Sequence, residues 1–218
     1  MQTTKQQLLA LLKRTGSVTV DEAAGALTIA SMTTRQHLVD LENDGLVRAE
    51  KVRRKAGRPH YLYSLTPKGD EMFPRRYDLL AQIFLDEVGA LRPAEIEGLD
   101  ADAKRTLLIK RTANRLADRY RVQAEGRSLA ERVAAVTDVL HRLGGFAEWR
   151  PTDAGFEIRD YSCVFAGLVS EQRSDCEWHV HLLSQLLGGP VRHEFLPSAY
   201  GACCRYLVSP KEGPSTDA

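Results

Sequence analysis

The chain has 218 residues, 43% of them hydrophobic and 27% charged, with a net charge of +1 and four cysteines. That is enough apolar side chain to build a core, which excludes wholesale disorder. No run approaches the roughly 18 uninterrupted apolar residues of a membrane span, and the leading MQTTKQQLLALLKR is too polar for a secretory leader. A reducing cytoplasm is the expected setting, with no membrane partner, and four cysteines there are not expected to form a disulfide framework.

The charge is unevenly spread. Residues 1–69 carry 11 Lys/Arg against 6 Asp/Glu, an excess of +5, which leaves −4 for the remainder. Positive charge gathered in one segment points to a polyanion. Within that segment Leu8, Leu11 and Leu12 recur at helical spacing over Thr4–Arg14, and Gly16 ends the helix. Thr19 and Glu22 have the spacing of a capping box and open a short second helix to about Leu27. Ser31 is predicted as the N-cap of a third helix with an inner stripe of Thr34, Leu38 and Leu41. Met32, Thr33, Gln36 and Asp40 then point outward, Arg35 and His37 lie on the flanks, and Gly45 closes the helix. Two β-like runs, Leu46–Arg53 and His60–Leu65, enclose a turn built on Gly57 and Pro59.

Three helices and a basic hairpin, in that order, are a winged helix-turn-helix. The third helix fits a major groove, and the hairpin tip reaches phosphates or the minor groove. The candidate DNA-binding residues are Ser31, Thr33, Thr34, Arg35, Gln36 and His37 on the helix, with Arg53, Arg54, Lys55 and Arg58 at the tip. The expected partner is double-stranded operator DNA.

Further along, Asp70–Leu91 is predicted as one long helix, interrupted early by Pro74, with Met72, Phe73, Leu79, Leu80, Ile83, Phe84 and Val88 as its apolar stripe. Such a helix after a wing is expected to pair with its twin, since two-fold operators need two-fold proteins. Arg92–Asp102 reads as a connection. Ala103–Ala124 reads as a helix whose arginines form a solvated face, from which Arg111 or Arg115 could touch DNA. Ser128 and Glu131 form a second capping box, opening a helix that runs to about Leu143. Strands are predicted at Phe146–Arg150, Phe156–Asp160, Arg192–Leu196 and Arg205–Val208, with a helix at Cys176–Leu187. The fold class is therefore α+β. Its expected parts are a winged helix-turn-helix over 1–69, a helical dimerisation and linker region over 70–143, a small cysteine-containing sensor domain over 144–210 and a disordered tail over 211–218.

All four cysteines, Cys163, Cys176, Cys203 and Cys204, fall in that sensor segment, and no C-x-x-C is present. A zinc ribbon or thioredoxin motif is therefore not expected. Thiolates are soft ligands that suit iron–sulfur clusters. Adjacent cysteines on a strand face opposite sides. The natural ligand count is thus Cys163, Cys176 and one of the pair. A fourth donor could be the other cysteine, a His or Glu, or a small thiol; His179, His181 and His193 are the histidines within reach. Two other readings share the fold. In one, a regulator binds an apolar small molecule and its cysteines merely pack; in the other, zinc or thiol oxidation is sensed. No nucleophile–base constellation, phosphate loop or pair of carboxylates in an apolar setting is evident, so catalysis is not expected.

The segment TVDEAAGALTIASMTTRQHLVDLENDGLV followed by RRKAGRPHYLYSLTPKG is similar to the ArsR-like winged-helix transcriptional regulators, through Gly57, Arg58, Pro59, Tyr63, Leu65, Thr66 and Gly69. Arg35-Gln36 stands where that group often carries two arginines. From Thr4 to Val208 the chain resembles the SufR family, iron–sulfur-cluster-dependent repressors of Suf assembly operons. The resemblance is carried by RSLAERVAAVTDVLHRLGGFAEWRP, the Cys163 strand, Cys176 before a helix, and CCRYLV. It implies a homodimer with an iron–sulfur cluster, [4Fe-4S] in type, in each subunit, with Cys163, Cys176 and Cys204 at ligand positions. The family's remaining position, 14 residues after Cys176, is Pro190 here, which has no donor, and Cys203 is additional. The resemblance also implies repression of cluster-assembly genes by the cluster-loaded protein.

Overall fold

The structure is a computed structural model that describes residues 3–52, 60–73, 75–124, 127–162, 177–198 and 201–210. It is a mixed helix and sheet fold that divides into two compact units, 1–74 with 197–202, and 75–196 with 203–218.

The first unit begins with α1 (Thr4–Thr15), capped by Thr3 and ended by Gly16 at φ 81°. Gly16 tolerates that left-handed turn because it has no Cβ. A two-residue strand β1 (Ser17–Val18) follows, too short to leave a periodic signal in the sequence. In front of α2 (Val20–Leu27) the Thr19/Glu22 capping box is formed in both directions. Next comes α3 (Ser31–Asn43), which buries Thr34, Leu38 and Leu41, the expected stripe. Its N-cap is Ala30 rather than Ser31. Ser31 is the first helical residue, and its hydroxyl donates instead to Asp21 Oδ1 on α2 at 3.1 Å. At the other end the N–H of Gly45 bonds to Glu42 O and that of Leu46 to Leu41 O, both at 2.9 Å. These two bonds make a Schellman cap around Gly45, at φ 71°.

β2 (Val47–Val52) and β3 (His60–Leu65) pair antiparallel from Val47↔Leu65 to Val52↔His60, and β1 adds to the free side of β3. A single turn of helix, α4 (Pro67–Asp70), is capped by Thr66. The hydroxyl of Thr66 donates to Gly45 O at 2.7 Å and accepts from Gly69 N at 3.0 Å, while Thr66 N donates to Leu46 O at 3.0 Å. Gly69 is pressed so closely on this turn that a Cβ would stand 2.0 Å from the Leu46 carbonyl oxygen. The core of the unit gathers Leu8, Leu12, Leu38, Leu41, Val47 and Tyr63.

The helix predicted over 70–91 is shorter than expected. It starts at Tyr77, as α5 (Tyr77–Gly89). Met72 and Phe73 are not on it; Phe73 packs on the first core with Lys13 Nζ 5.4 Å over its ring, and Lys13 is also ion-paired to Asp70. The capped turn at Thr66 consumes the residues that periodicity alone assigned to a helix, and proline at 74 disfavours helical geometry before it.

The second unit contains α5, a short α6 (Pro93–Ile96), α7 (Ala101–Ala124), α8 (Leu129–Arg142) and α9 (Glu177–Leu187). The Ser128/Glu131 capping box opens α8 as expected. The sheet comprises β4 (Ala147–Thr152), β5 (Gly155–Asp160), β6 (Val191–Ser198) and β7 (Gly201–Val208), in the order β4-β5-β7-β6. One hydrophobic cluster joins α5, α7, α8 and α9 to the sheet: Leu80 and Ile83, Leu116, Val136 and Leu140, Leu182 and Leu183, Ile158 and Tyr206. Trp178 of α9 donates its indole N–H to Thr112 of α7 at 3.1 Å. The opposite sheet face is ionic, with buried Glu157 held by Arg150, Arg159 and Arg205. Buried Glu87 of α5 is clamped by Arg111, at 2.7 Å, and Arg115 of α7. Burial opposes its ionisation, but the hydrogen bonds from the two arginines prevail and hold the carboxyl below the ordinary glutamate value.

Gly69→Ala forces backbone to move, and is expected to cost about 1–3 kcal/mol. Gly25→Ala, in the middle of α2 with nothing within 4 Å of a new Cβ, is expected to gain about 0.5–1 kcal/mol. Hydrogen exchange at the α1 and α3 amides reads both, and equal effects from the two changes would refute the packing. Glu87→Gln is expected to lower stability by about 1–3 kcal/mol. The native stabilisation from Glu87 is complete above the unfolded carboxyl pKa and is lost as pH falls through its lowered folded value. Urea unfolding followed by tryptophan fluorescence reads this directly, because both tryptophans, Trp149 and Trp178, lie in the second unit.

Candidate nucleic-acid interface and cysteine site

On α3, Met32, Thr33, Arg35 and Gln36 are exposed on one side, opposite the buried stripe. Gln36 Nε2 donates to Asp40 Oδ1 at 3.0 Å, and Lys5 lies 3.4 Å from the same carboxylate. The Gln36 hydrogen bond, and behind it Lys5, lowers the pKa of Asp40. The one acid on the outward face is thus already answered by protein groups. Ser31 is exposed but tied to Asp21. His37 is half-buried, with its Nδ1 buried and unbonded among the described residues.

Thr34 does not belong to the DNA-contacting set. It is fully buried, and its hydroxyl donates to Ala30 O at 3.1 Å. A side chain below the helix cannot reach a base edge. Arg111 and Arg115 are likewise engaged with Glu87, and Arg111 also with Glu95 at 2.6 Å. The tip residues Arg53, Arg54, Lys55 and Arg58 lie outside the described residues. The strands leading to them do not, and they present exposed Lys51 and Tyr61 beside the tip. Sequence reading did not single out these two, although strand alternation could have found them.

The cysteines are placed only in part. Cys163 and Cys176 lie outside the described residues. Cys203 and Cys204 are on β7 and face opposite sides, as expected. Cys204 is buried on the core face with Tyr206, whereas Cys203 is half-buried on the ionic face and burial raises its thiol pKa. Cys204 stands opposite Asp160 of β5. The Asp160 Oδ1 accepts from the backbone N–H of Phe146 and of Ser162, both at 3.0 Å, which fixes the exit of the strand. Cys163 is the next residue in the chain after Ser162, and Cys176 immediately precedes α9.

The three candidate histidines differ. His181 Nε2 is 2.7 Å from Asn114 Oδ1 on α7. His179 is buried edge-on to Trp178 at 5.0 Å and 6.1 Å from the Tyr206 ring. Burial, with nearby His193 adding to it, pushes the imidazole down to about 4, so the ring is neutral near pH 7. His193 of β6 lies 5.2 Å from the Tyr206 ring, with its buried Nε2 unbonded among the described residues. Among the described residues no three His, Cys, Asp or Glu side chains come together as a metal site, and no helix is long and apolar enough to cross a membrane.

Residues 5–53 match the family model of the DeoR-like helix-turn-helix domain. Two solved structures are similar in part. A MarR family transcriptional regulator from Silicibacter pomeroyi DSS is 23% identical over 49% of this chain and 64% of its own, with a TM-score of 0.28. The match therefore spans just under two thirds of that protein's length. Bacillus subtilis PadR, in complex with operator DNA, is 15% identical over 84% of this chain and 90% of its own, with a TM-score of 0.26. Both scores are too low to carry a fold or a function across. No curated protein matches the chain. The DeoR-like match, with the wing behind it, makes this a DNA-binding transcriptional regulator of the winged-helix type.

For that interface, Arg35→Ala and Gln36→Ala are expected to cost about 1–3 kcal/mol each and to relax base preference, while Lys51→Ala lowers the salt slope by about one. Operator selection followed by binding isotherms at several salt concentrations measures both. Loss that is uniform across sequences for Arg35 and Gln36 would contradict the assignment of α3 as the reading element.

Proposed function

We propose that the protein is a cytoplasmic, homodimeric repressor that binds operator DNA through its winged helices and holds an iron–sulfur cluster, of the [4Fe-4S] type, in each C-terminal unit. On this reading it represses cluster-assembly genes while loaded. The observation that carries the reading is the pairing of Cys204 with Asp160. Two backbone N–H groups on Asp160 fix the strand exit from which Cys163 follows within three residues, a tether of about 10 Å at most. Cys176 is three residues from His179, which packs on Tyr206, itself two residues from Cys204 on the same strand face. On this reading the three thiols gather around one end of the core face.

The donor set suits the group. Cys204, not Cys203, shares its face with His193, and the unbonded Nε2 of His193 offers a fourth donor where Pro190 offers none. The cluster, when bound, supplies a redox- and iron-sensitive link between segments otherwise held only by packing. The chain's own residues do the rest. Asp160 fixes the start of the segment that carries Cys163, and Trp178 anchors α9, just after Cys176, to α7 through Thr112.

Support for the homodimer comes from α5. Tyr77, Ala81, Phe84 and Val88 repeat at heptad-like spacing, and Tyr77, Leu85 and Val88 are 42%, 67% and 51% exposed. An apolar stripe of this kind suits a second copy of the same helix.

Anaerobic purification with iron and sulfide analysis tests the reading. Near-stoichiometric iron and sulfide with visible absorbance are expected, retained in Cys203→Ser and lost in Cys163→Ser, Cys176→Ser and Cys204→Ser. Iron-free protein, stoichiometric zinc, or full iron retention in the Cys204→Ser variant would overturn it.

A further inference from the structure

A second feature of the C-terminal unit is independent of the cysteines. A cavity of about 300 Å³ opens where α7, α8 and the end of α9 meet, lined by Ala117, Arg121, Ala124, Arg132, Gln185, Leu186 and Gly188. That volume is at the lower end for small-molecule sites. Ala117, Arg121 and Ala124 fall on one face of α7 at i, i+4 and i+7. No acid is among the lining residues.

Arg132 is the unusual group. Its Nε is buried and has no hydrogen-bond partner, and among the described residues its guanidinium forms no ion pair. Arg132 is half-buried, and a guanidinium N–H shut away from water without an acceptor is costly unless something fills the site. Other arginines of this unit, among them Arg111, Arg115, Arg150, Arg159 and Arg205, answer to Glu87 or Glu157. Gly188 makes room for it: at φ 69° it has no side chain, and a Cβ there would stand 3.1 Å from Arg132 Nη1. The α9 C-terminus is an attractive neighbour for a cation, but its last turn is closed by Gly188 N and Gly189 N on Ser184 O. Arg121, also on the lining, is exposed and among the described residues pairs with Asp118 on its own helix, an exchangeable surface pair.

We propose that this cavity binds a small organic anion. Its carboxylate or phosphoryl group sits between the forks of Arg132 and Arg121, the Gln185 amide supplies a further hydrogen bond, and an apolar body rests on Ala117, Ala124 and Leu186. Two arginines lining one cavity with Ala117, Ala124 and Leu186 favour an anion with a hydrophobic part.

Isothermal titration of the full chain at constant chloride ionic strength tests the site, with sodium benzoate, inorganic phosphate and neutral benzamide as probes. At least one anion is expected to saturate at one per chain, with benzamide weaker by about ten-fold or more. Benzoate alone identifies a carboxylate site, and phosphate alone a phosphoryl site. Arg132→Gln is expected to weaken the anion about ten-fold or more, Arg121→Gln less, and Arg132→Lys to an intermediate extent. Arg132→Lys and Arg121→Gln keep the test readable if Arg132→Gln fails to fold. Saturation by neither anion, equal binding of benzamide, or unchanged affinity in all three variants would overturn the proposal. Iron content plays no part in the readout, so this result and the cluster assay fail separately.

Discussion

The first unit depends on one tight contact, the clasp of Thr66 and Gly69 on the end of α3. Thr66 bonds the carbonyls of Gly45 and Leu46, and Gly69 lies so close to Leu46 that no other residue fits. The clasp joins the C-terminus of the reading helix to the base of the hairpin. It therefore fixes the angle between α3 and the hairpin, the two parts proposed to meet DNA together. Four of the seven residues that carry the resemblance, Tyr63, Leu65, Thr66 and Gly69, lie in the clasp or the core beside it. Tyr63 is core, Leu65 packs on it, and Thr66 and Gly69 make the clasp. Gly57, Arg58 and Pro59 lie outside the described residues.

The second unit uses charge where the first uses backbone. Glu87 is buried because two arginines of α7 reach it, and in doing so they cease to be free for DNA. A buried carboxylate with two partners is a register mark as much as a source of stability. It pins α5 against α7 and so decides which side of α5 turns outward. The outward side is the apolar stripe at Tyr77, Ala81, Phe84 and Val88. At the sheet, alternation along β7 assigns Cys204 to the core face and Cys203 to the ionic face.

Much of this was legible in the sequence, and the rest was hidden for physical reasons. The capping boxes at Thr19 and Ser128 could be read directly because each is closed within four residues. The β2–β3 hairpin and the buried stripe of α3 could be read because periodicity reports burial. Ser31 was misread because its oxygen found a tertiary partner, Asp21, which competes with local capping. The helix expected from Asp70 was too long, since Met72 and Phe73 continue the apolar pattern while Phe73 belongs to a different core. Thr34 fits both a buried stripe and a contact list by spacing, and only burial separates them. Nothing in the sequence marks Arg132, because the glycine that makes room for it, Gly188, is more than fifty residues away.

We propose that cluster occupancy in the C-terminal unit controls the DNA affinity of the winged helices. The direct measurement is operator affinity of anaerobically purified, iron-loaded protein, repeated on the same sample after the iron is removed by a chelator. The account predicts that the loaded protein binds tighter by about ten-fold or more, a coupling of about 1.4 kcal/mol, and that Cys204→Ser matches the iron-free sample. Equal affinity with and without iron, in protein that does hold a cluster, would contradict it.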